Sequence, residues 1–379
     1  MKSTEKKASW LELFYDIAFI ALVAQLTYLS YAHHQTLLDF VNIFLVAYVI
    51  FIAWWATTAN RNLKPTETTT DKLLIQAQMV GAFLMSITMP DIFEGQYTGF
   101  FFTFGLLRLL QAGTVWGMYI KHPETKPQTN NILQGFFVAA GLWICAAFVP
   151  FPYTYPLAFS ALLVDIMTPL TTGKGNATRY LSVKHLQERL GLFLMLVIGE
   201  SMIVVALSNT AADLSIAEPT IVFAGLGMMI ALWWLYFEYS DQRQGIRPKN
   251  LFLYIHAHAF LFGSIILLSV GYKLAIEQTQ TFVAGWFVTA GAVGVLLTLT
   301  IIRLMLHSRV KKTFLRSGVY LLVGVGMATA ALLTSTAQTL IVLMTLLFMG
   351  AAVVDSNFRS SPLSAKPGRA EDYPGLQDM

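Results

Sequence analysis

The sequence predicts an all-α, multi-pass membrane protein with about twelve transmembrane helices, and three observations lead there. The chain of 379 residues is 56% hydrophobic and only 12% charged, with a mean hydropathy of +0.60. A soluble domain carries about 25% charged residues because its surface faces water. The apolar residues are gathered into runs of about twenty, the length at which a helix rising about 1.5 Å per residue crosses a bilayer. Charge then alternates from one connection to the next. Segments 1–9, 59–72, 121–130, 173–189, 241–249, 303–316 and 355–379 hold 23 of the 25 Lys and Arg. The opposite set holds Lys273 alone, together with the acidic Asp91, Glu94, Asp213 and Glu218, and Arg108 lies inside a span. Positive loops stay in the cytoplasm, so both termini are expected there. The same placement accounts for a pI near 9.0 without nucleic acid or any other polyanionic partner.

The first helix is expected over 10–32. Lys2, Lys6 and Lys7 precede it and Ser30-Tyr31-Ala32 loosely fits a signal-peptidase site. Glu12 and Asp16 at the start of the apolar stretch do not suit a cleaved leader, so the helix is read as retained. Helices follow over 37–58 and 71–91, separated near Pro65, with Pro90 closing the third. The fourth, 98–120, ends before Pro123; the fifth, 131–149, ends at Pro150; the sixth, 156–172, opens on Pro156. The seventh spans 188–208, the eighth opens at Pro219 and runs to 240, and the ninth follows Pro248 over 250–273. Helices at 280–302, 314–335 and 338–354 complete the set. Trp10, Tyr97, Tyr119, Tyr153, Tyr155 and Tyr272 stand at span ends, where amphipathic rings favour the interface. The tail 356–379, with Pro362, Pro367, Pro374 and mixed charge, reads as disordered and cytoplasmic.

The two halves, 1–173 and 174–355, read as a six-helix repeat. Trp54-Trp55 and Trp233-Trp234 occupy the same part of the second and eighth helices. Ile75-Gln76-Ala77-Gln78 and Ile255-His256-Ala257-His258 follow about twenty residues later, and Glu12 and Glu188 open spans one and seven. An even number of helices per unit makes the halves parallel, and such pseudo-twofold repeats often enclose a central site.

Ionisable residues inside a span cost about 2.5–3.5 kcal/mol each near the bilayer centre, so those present pair, line water or carry function. Glu12 and Asp16 share one face of the first helix. Arg108, Asp165 and Glu200 fall at similar depth in spans four, six and seven. Arg108 is the one cation at mid-depth and needs an acidic partner, which either Asp165 or Glu200 can supply. One pair then leaves an unmatched carboxylate, the kind of group that a proton-coupled carrier uses. Glu238, Asp241 and Arg243 mark the inner end of span eight. His256 and His258 are two apart and point about 200° away from each other on a helix. They do not suit shared metal chelation, and hydrogen bonds to neighbouring helices are their expected role. No metal or cofactor is expected. Cys145 is read as a small core residue. Val323-Gly324-Val325-Gly326 lies within a span and is read as close helix packing instead of a phosphate loop.

Trp10-Leu11-Glu12-Leu13-Phe14-Tyr15-Asp16-Ile17-Ala18-Phe19 resembles the opening signature of the bacterial low temperature requirement protein A family. Glu188-Arg189-Leu190-Gly191-Leu192-Phe193, followed by Ile198-Gly199-Glu200-Ser201, is similar to a second part of it, and Tyr236 to Asp241 with His258-Ala259-Phe260-Leu261-Phe262 to a third. His256 departs from the aromatic residue expected there. The resemblance implies a polytopic bacterial inner-membrane protein connected with growth in the cold, and no particular reaction or substrate. It carries Glu12, Asp16, Glu188, Arg189, Glu200, Ser201 and His258 forward as candidate positions. Phe14-Tyr15-Asp16 is also similar to the Phe-Ser-Asp signature of a potassium-channel family of six-helix repeats, although the serine is absent and span seven has no such triplet.

These residues support a secondary transporter for a small solute or ion, coupled to protons, with its site between the halves. A channel needs symmetric pore-lining positions, and the position in span seven that corresponds to Asp16 holds Leu192. An enzyme needs a nucleophile and base in reach, and Glu200-Ser201 and the histidines lack that spacing. A structural or sensory protein whose charges pack helices is the remaining reading. The lipid bilayer is the one partner that composition names; oligomeric state has no sequence signal.

Overall fold

The computed structural model describes residues 8–33, 37–63, 68–121, 126–171, 182–207, 217–240, 250–276, 281–306, 311–333 and 336–360. Among these residues the chain forms twelve α-helices and no strand. They are α1 (Trp10–Ala32), α2 (Leu37–Leu63), α3 (Thr69–Phe93), α4 (Thr98–Lys121), α5 (Lys126–Phe148), α6 (Thr154–Thr171), α7 (Val183–Leu207), α8 (Ala217–Ser240), α9 (Leu251–Ile276), α10 (Thr281–Leu306), α11 (Lys311–Leu333) and α12 (Ala337–Ser360). Every expected helix is present. The largest differences are at ends: α2, α5, α7 and α12 each extend by about a turn or more, and α12 runs to Ser360, into the segment read as tail.

Nine helices are long and apolar enough to cross a membrane, counted over the described residues. The other three are α4, α6 and α11. In α4, Arg108, Gln111 and Thr114 lower the hydropathy, and all three side chains are buried. The outward surface is apolar: Phe14, Ile17, Val80, Phe83, Ile87, Phe159, Leu321 and Leu322 are all more than half exposed. Water does not tolerate apolar cover on this scale, and lipid does. This is a multi-pass membrane protein.

Local sequence sets two helix starts that matter for the site. Ser9-x-x-Glu12 forms a capping box, with the Ser9 amide donating to Glu12 Oε2 at 2.7 Å. Thr68-x-x-Asp71 does the same at α3. Both boxes bring a carboxylate to the end of the bundle where α1 begins, called here the near end.

The core is organised around α9, which is apolar all round and buried along most of its length. It packs against α1 and α2 of the first half and against α7, α8 and α10 of the second. The contact with α10 is tight at its glycines. A side chain at Gly291 would meet the Leu268 amide nitrogen and the Ser264 carbonyl oxygen at 2.7 Å, and one at Gly271 would meet the Val288 amide nitrogen at 2.7 Å. Backbone cannot yield as a side-chain tip can, so Gly291→Ala should lower stability by about 1–3 kcal/mol. Melting of the purified protein in detergent, read by retention of a monodisperse peak after heating, checks this; an unchanged midpoint would contradict the close approach. The glycines expected to serve packing behave differently, since a side chain at Gly324 or Gly326 meets nothing within 4 Å. Cys145 is also corrected: it faces outward and is exposed, not in the core.

Candidate functional site

A stripe on α1 meets a stripe on α7. On α1 it comprises Glu12, Asp16, Phe19, Val23 and Thr27, spaced by three or four residues so that all lie on one face. On α7 it comprises His185, Arg189, Phe193, Val197 and Glu200. Three polar contacts cross between them: Glu12 to His185 at 3.6 Å, Asp16 to Arg189 at 2.6 Å, and Thr27 to Glu200 at 3.4 Å. Each joins residues 173 positions apart, so α1 and α7 run parallel and in register. They are the first and seventh of the twelve helices.

The near-end cluster is the most charged. Asp16 is fully buried, and its Oδ1 accepts from Arg189 Nη2 at 2.6 Å and from Trp54 Nε1 at 2.7 Å. The Trp54 ring stacks on Phe193 with centroids 4.3 Å apart, which holds α2 against α7. Nε and Nη1 of Arg189 are buried and make no hydrogen bond with the described residues. Glu12, besides capping α1, lies 3.7 Å from Arg61 on α2. Asn62 ties the same place to the start of α7, donating to the Ser182 carbonyl at 2.9 Å and accepting from its amide at 2.8 Å.

A second polar system runs through the first half. Arg108 on α4 pairs with Asp165 on α6 at 3.1 Å, and Trp143 on α5 donates to the same carboxylate at 3.0 Å. Of the two acidic partners the sequence allowed, the fold selects Asp165. The Arg108 guanidinium lies 4.9 Å from the Phe104 ring centre and 5.4 Å from that of Phe136. Its Nη1 donates to Gln111 at 2.8 Å, and Gln111 donates on to Thr57 at 3.1 Å. Thr57 also accepts from Tyr15 at 2.9 Å and donates to Gln78 at 2.6 Å. All six helices of the first half thus contribute a side chain to one buried chain of polar contacts.

Glu200 has no cationic partner among the described residues. It is buried, and the one polar contact it makes among the described residues is with Thr27. Ser201 beside it is fully buried and donates to the Val197 carbonyl of its own helix, so it joins no network. Glu188 is also outside: one position before Arg189 turns its side chain about 100° away, and it is exposed. The histidines behave as hydrogen-bonding residues on opposite sides of α9. His258 meets the Tyr236 hydroxyl of α8 at 3.0 Å and the Tyr254 carbonyl at 2.7 Å; His256 meets the Tyr48 hydroxyl of α2 at 2.7 Å. Asp241 and Arg243 lie outside the described residues, as does the side chain of Glu238.

Sequence reasoning missed four participants. Arg61, His185, Arg303 and Asp355 sit in or beside segments read as charged connections, yet all four are buried. Arg303 on α10 holds Asp355 on α12 with both nitrogens at 3.1 Å, donates to the Leu235 carbonyl at 2.9 Å, and lies 4.3 Å from the Tyr320 ring centre. The available signal was the apolar stretch continuing to either side of each residue.

Fold and site therefore define a class: a helical multi-pass membrane protein in which α1 and α7 form a parallel helix pair carrying buried charge. The profile of the bacterial low temperature requirement A protein (LtrA) family matches residues 7–354, and the chain belongs to that family. It is also similar to a curated protein of Rhizobium meliloti (strain 1021), described as "Uncharacterized protein RA0937", at 23% identity over 299 residues, 72% of this chain and 71% of the relative.

Proposed function

We propose that this protein is a proton-coupled secondary carrier of a small solute or ion, not an enzyme, working between two parallel six-helix halves of a bacterial inner-membrane protein. The observation that carries the reading is the α1–α7 stripe. It places Glu200, a buried carboxylate without a cation among the described residues, on the same line as the Asp16–Arg189 pair. Asp16 and Thr27 are eleven residues apart, about 16 Å along the helix. Between them the stripe is filled by Phe19, Val23, Phe193 and Val197, all buried. Polar groups at two depths with packed apolar side chains between them suit a carrier that opens to one side at a time, and do not suit a standing pore. Arg189 keeps two buried donors for an anionic group.

Two correspondences support the repeat. Thr57 meets Gln78 across the second and third helices, and Tyr236 meets His258 across the eighth and ninth, at offsets of 179 and 180 residues. In each half an arginine on the fourth helix pairs with an aspartate on the sixth and lies near a ring of the fifth: Arg108, Asp165 and Phe136, then Arg303, Asp355 and Tyr320. The Lys and Arg bias supports cytoplasmic termini and a cytoplasmic near end. A second reading, a purely structural role for the charges, is favoured at Arg108–Asp165 and Arg303–Asp355, where both members are buried and paired.

Reconstitution into liposomes tests the proposal. Internal pH is followed under imposed proton, sodium and potassium gradients and with candidate solutes, for wild type, Asp16→Asn and Glu200→Gln. Solute-dependent or cation-dependent proton movement in wild type is expected, with Glu200→Gln abolishing the coupling. Flux that both variants retain would remove these carboxylates from the path. No flux under any gradient would favour the structural reading.

A further inference from the structure

At the end of the bundle opposite Glu12, the α3–α4 and α5–α6 turns enclose an open cleft of about 580 Å³. Pockets of roughly 300–1,000 Å³ accommodate small ligands. Gly95, at φ +80°, closes the α3–α4 turn, and the Gln96 amide donates back to the Asp91 carbonyl at 2.7 Å. That left-handed step, which an L side chain resists, delivers Gln96 and Tyr97 to the rim. Three rings form a continuous wall. Tyr97 and Tyr155 are hydrogen-bonded through their hydroxyls with ring centres 5.3 Å apart, and Phe151 packs edge-on to Tyr155 at 5.9 Å. Asp91 lines the same cleft, and Gly99 packs close by: a side chain there would start 3.0 Å from Thr88 Cγ2 and 3.5 Å from Asp91 Oδ2.

Asp91 is the one acidic or basic side chain among the described residues that line this cleft. Burial, reinforced by the Tyr155 hydroxyl, pushes the Tyr97 phenol up to about 12, so it stays neutral. A single carboxylate beside a wall of aromatic faces is complementary to a soft organic cation. Each ring face attracts a cation through its quadrupole, and more strongly once the cation is desolvated. A phosphate or carboxylate ligand would meet repulsion, and an uncharged apolar ligand would leave Asp91 without a partner.

We propose that this cleft binds an alkylammonium group. Two sources carry that chemistry: a free amine or quaternary ammonium compound, and the head group of an aminophospholipid in the adjacent leaflet. The inference does not rest on the carrier reading, because it concerns a different end of the first half.

The test uses the full chain in dodecyl maltoside micelles, which carry no amine. One arm titrates tetramethylammonium chloride against sodium chloride at equal ionic strength and follows the melting temperature. The other adds phosphatidylethanolamine or phosphatidylglycerol and counts retained lipid by native mass spectrometry. Wild type is expected to show a saturable upward shift with tetramethylammonium and none with sodium. Asp91→Asn should abolish the shift, and Tyr155→Leu, at an exposed position, should weaken it. Selective retention of phosphatidylethanolamine that both variants lose, with no tetramethylammonium response, would support the site and assign it to lipid. No response in either arm, or responses that Tyr155→Leu and Asp91→Asn leave intact, would overturn the proposal. Should Asp91→Asn fail to fold, Tyr155→Leu decides alone.

Discussion

Arg108→Leu is expected to destabilise the protein by about 3–5 kcal/mol, because it strands the Asp165 carboxylate in a site where neither partner touches solvent. Asp165 would keep only the Trp143 indole as a donor, and Gln111 would lose the charge that orients it toward Thr57. The damage should therefore spread from α4–α6 into α1–α3, where Thr57, Tyr15 and Gln78 meet. The diagnostic companion is the double variant Arg108→Met with Asp165→Leu. Replacing both members of a buried pair with apolar side chains is often neutral or stabilising, because neither charge then needs removing from water. Equilibrium unfolding in micelles with a graded denaturant should show a deep loss for the single change and recovery of most of it for the double. A mild single variant would mean that the pair is wetted. A double variant that is stable yet inactive in liposomes would move this pair from scaffold to mechanism.

Asp16→Ala is expected to cost a similar amount, about 3–5 kcal/mol, for the same reason seen from the cation: Arg189 would remain buried without its carboxylate. Here the effect has a second part, since the Trp54 indole also loses its acceptor and with it one tie between α1 and α2. Asp16→Asn separates the two, keeping an oxygen for Trp54 while removing the charge, and should fall between wild type and alanine. A double-mutant cycle of Asp16→Asn with Arg189→Gln should return a coupling of about 0.5–3 kcal/mol in unfolding free energy. Strict additivity would contradict the 2.6 Å contact. Because this pair joins α1 to α7, and Arg108–Asp165 joins α4 to α6, the Asp16 variants should also loosen the packing of α7 on α1. Limited proteolysis of the connection after α6 should then accelerate in Asp16→Ala and stay near wild type in Arg108→Met/Asp165→Leu.

Much of this architecture is readable along the chain. The twelve helices, their approximate ends, and the burial of Asp16, Arg108, Asp165 and Glu200 all follow from runs of hydropathy and from the cost of charge in hydrocarbon. Those are properties of one segment at a time, and each segment carries them wherever it packs. Partner choice is of another kind. Asp165 and Glu200 offered Arg108 the same charge at the same depth, and only the packing of α4 beside α5 and α6 decided between them. Glu188 and Arg189 are adjacent in sequence, yet a rotation of about 100° sends one outward and the other to Asp16. Arg61, His185, Arg303 and Asp355 stand at helix ends, where an extra turn converts an expected loop charge into a buried one. Depth is written in the local composition; azimuth and neighbour are settled by how side chains of different helices interlock, which no single segment encodes.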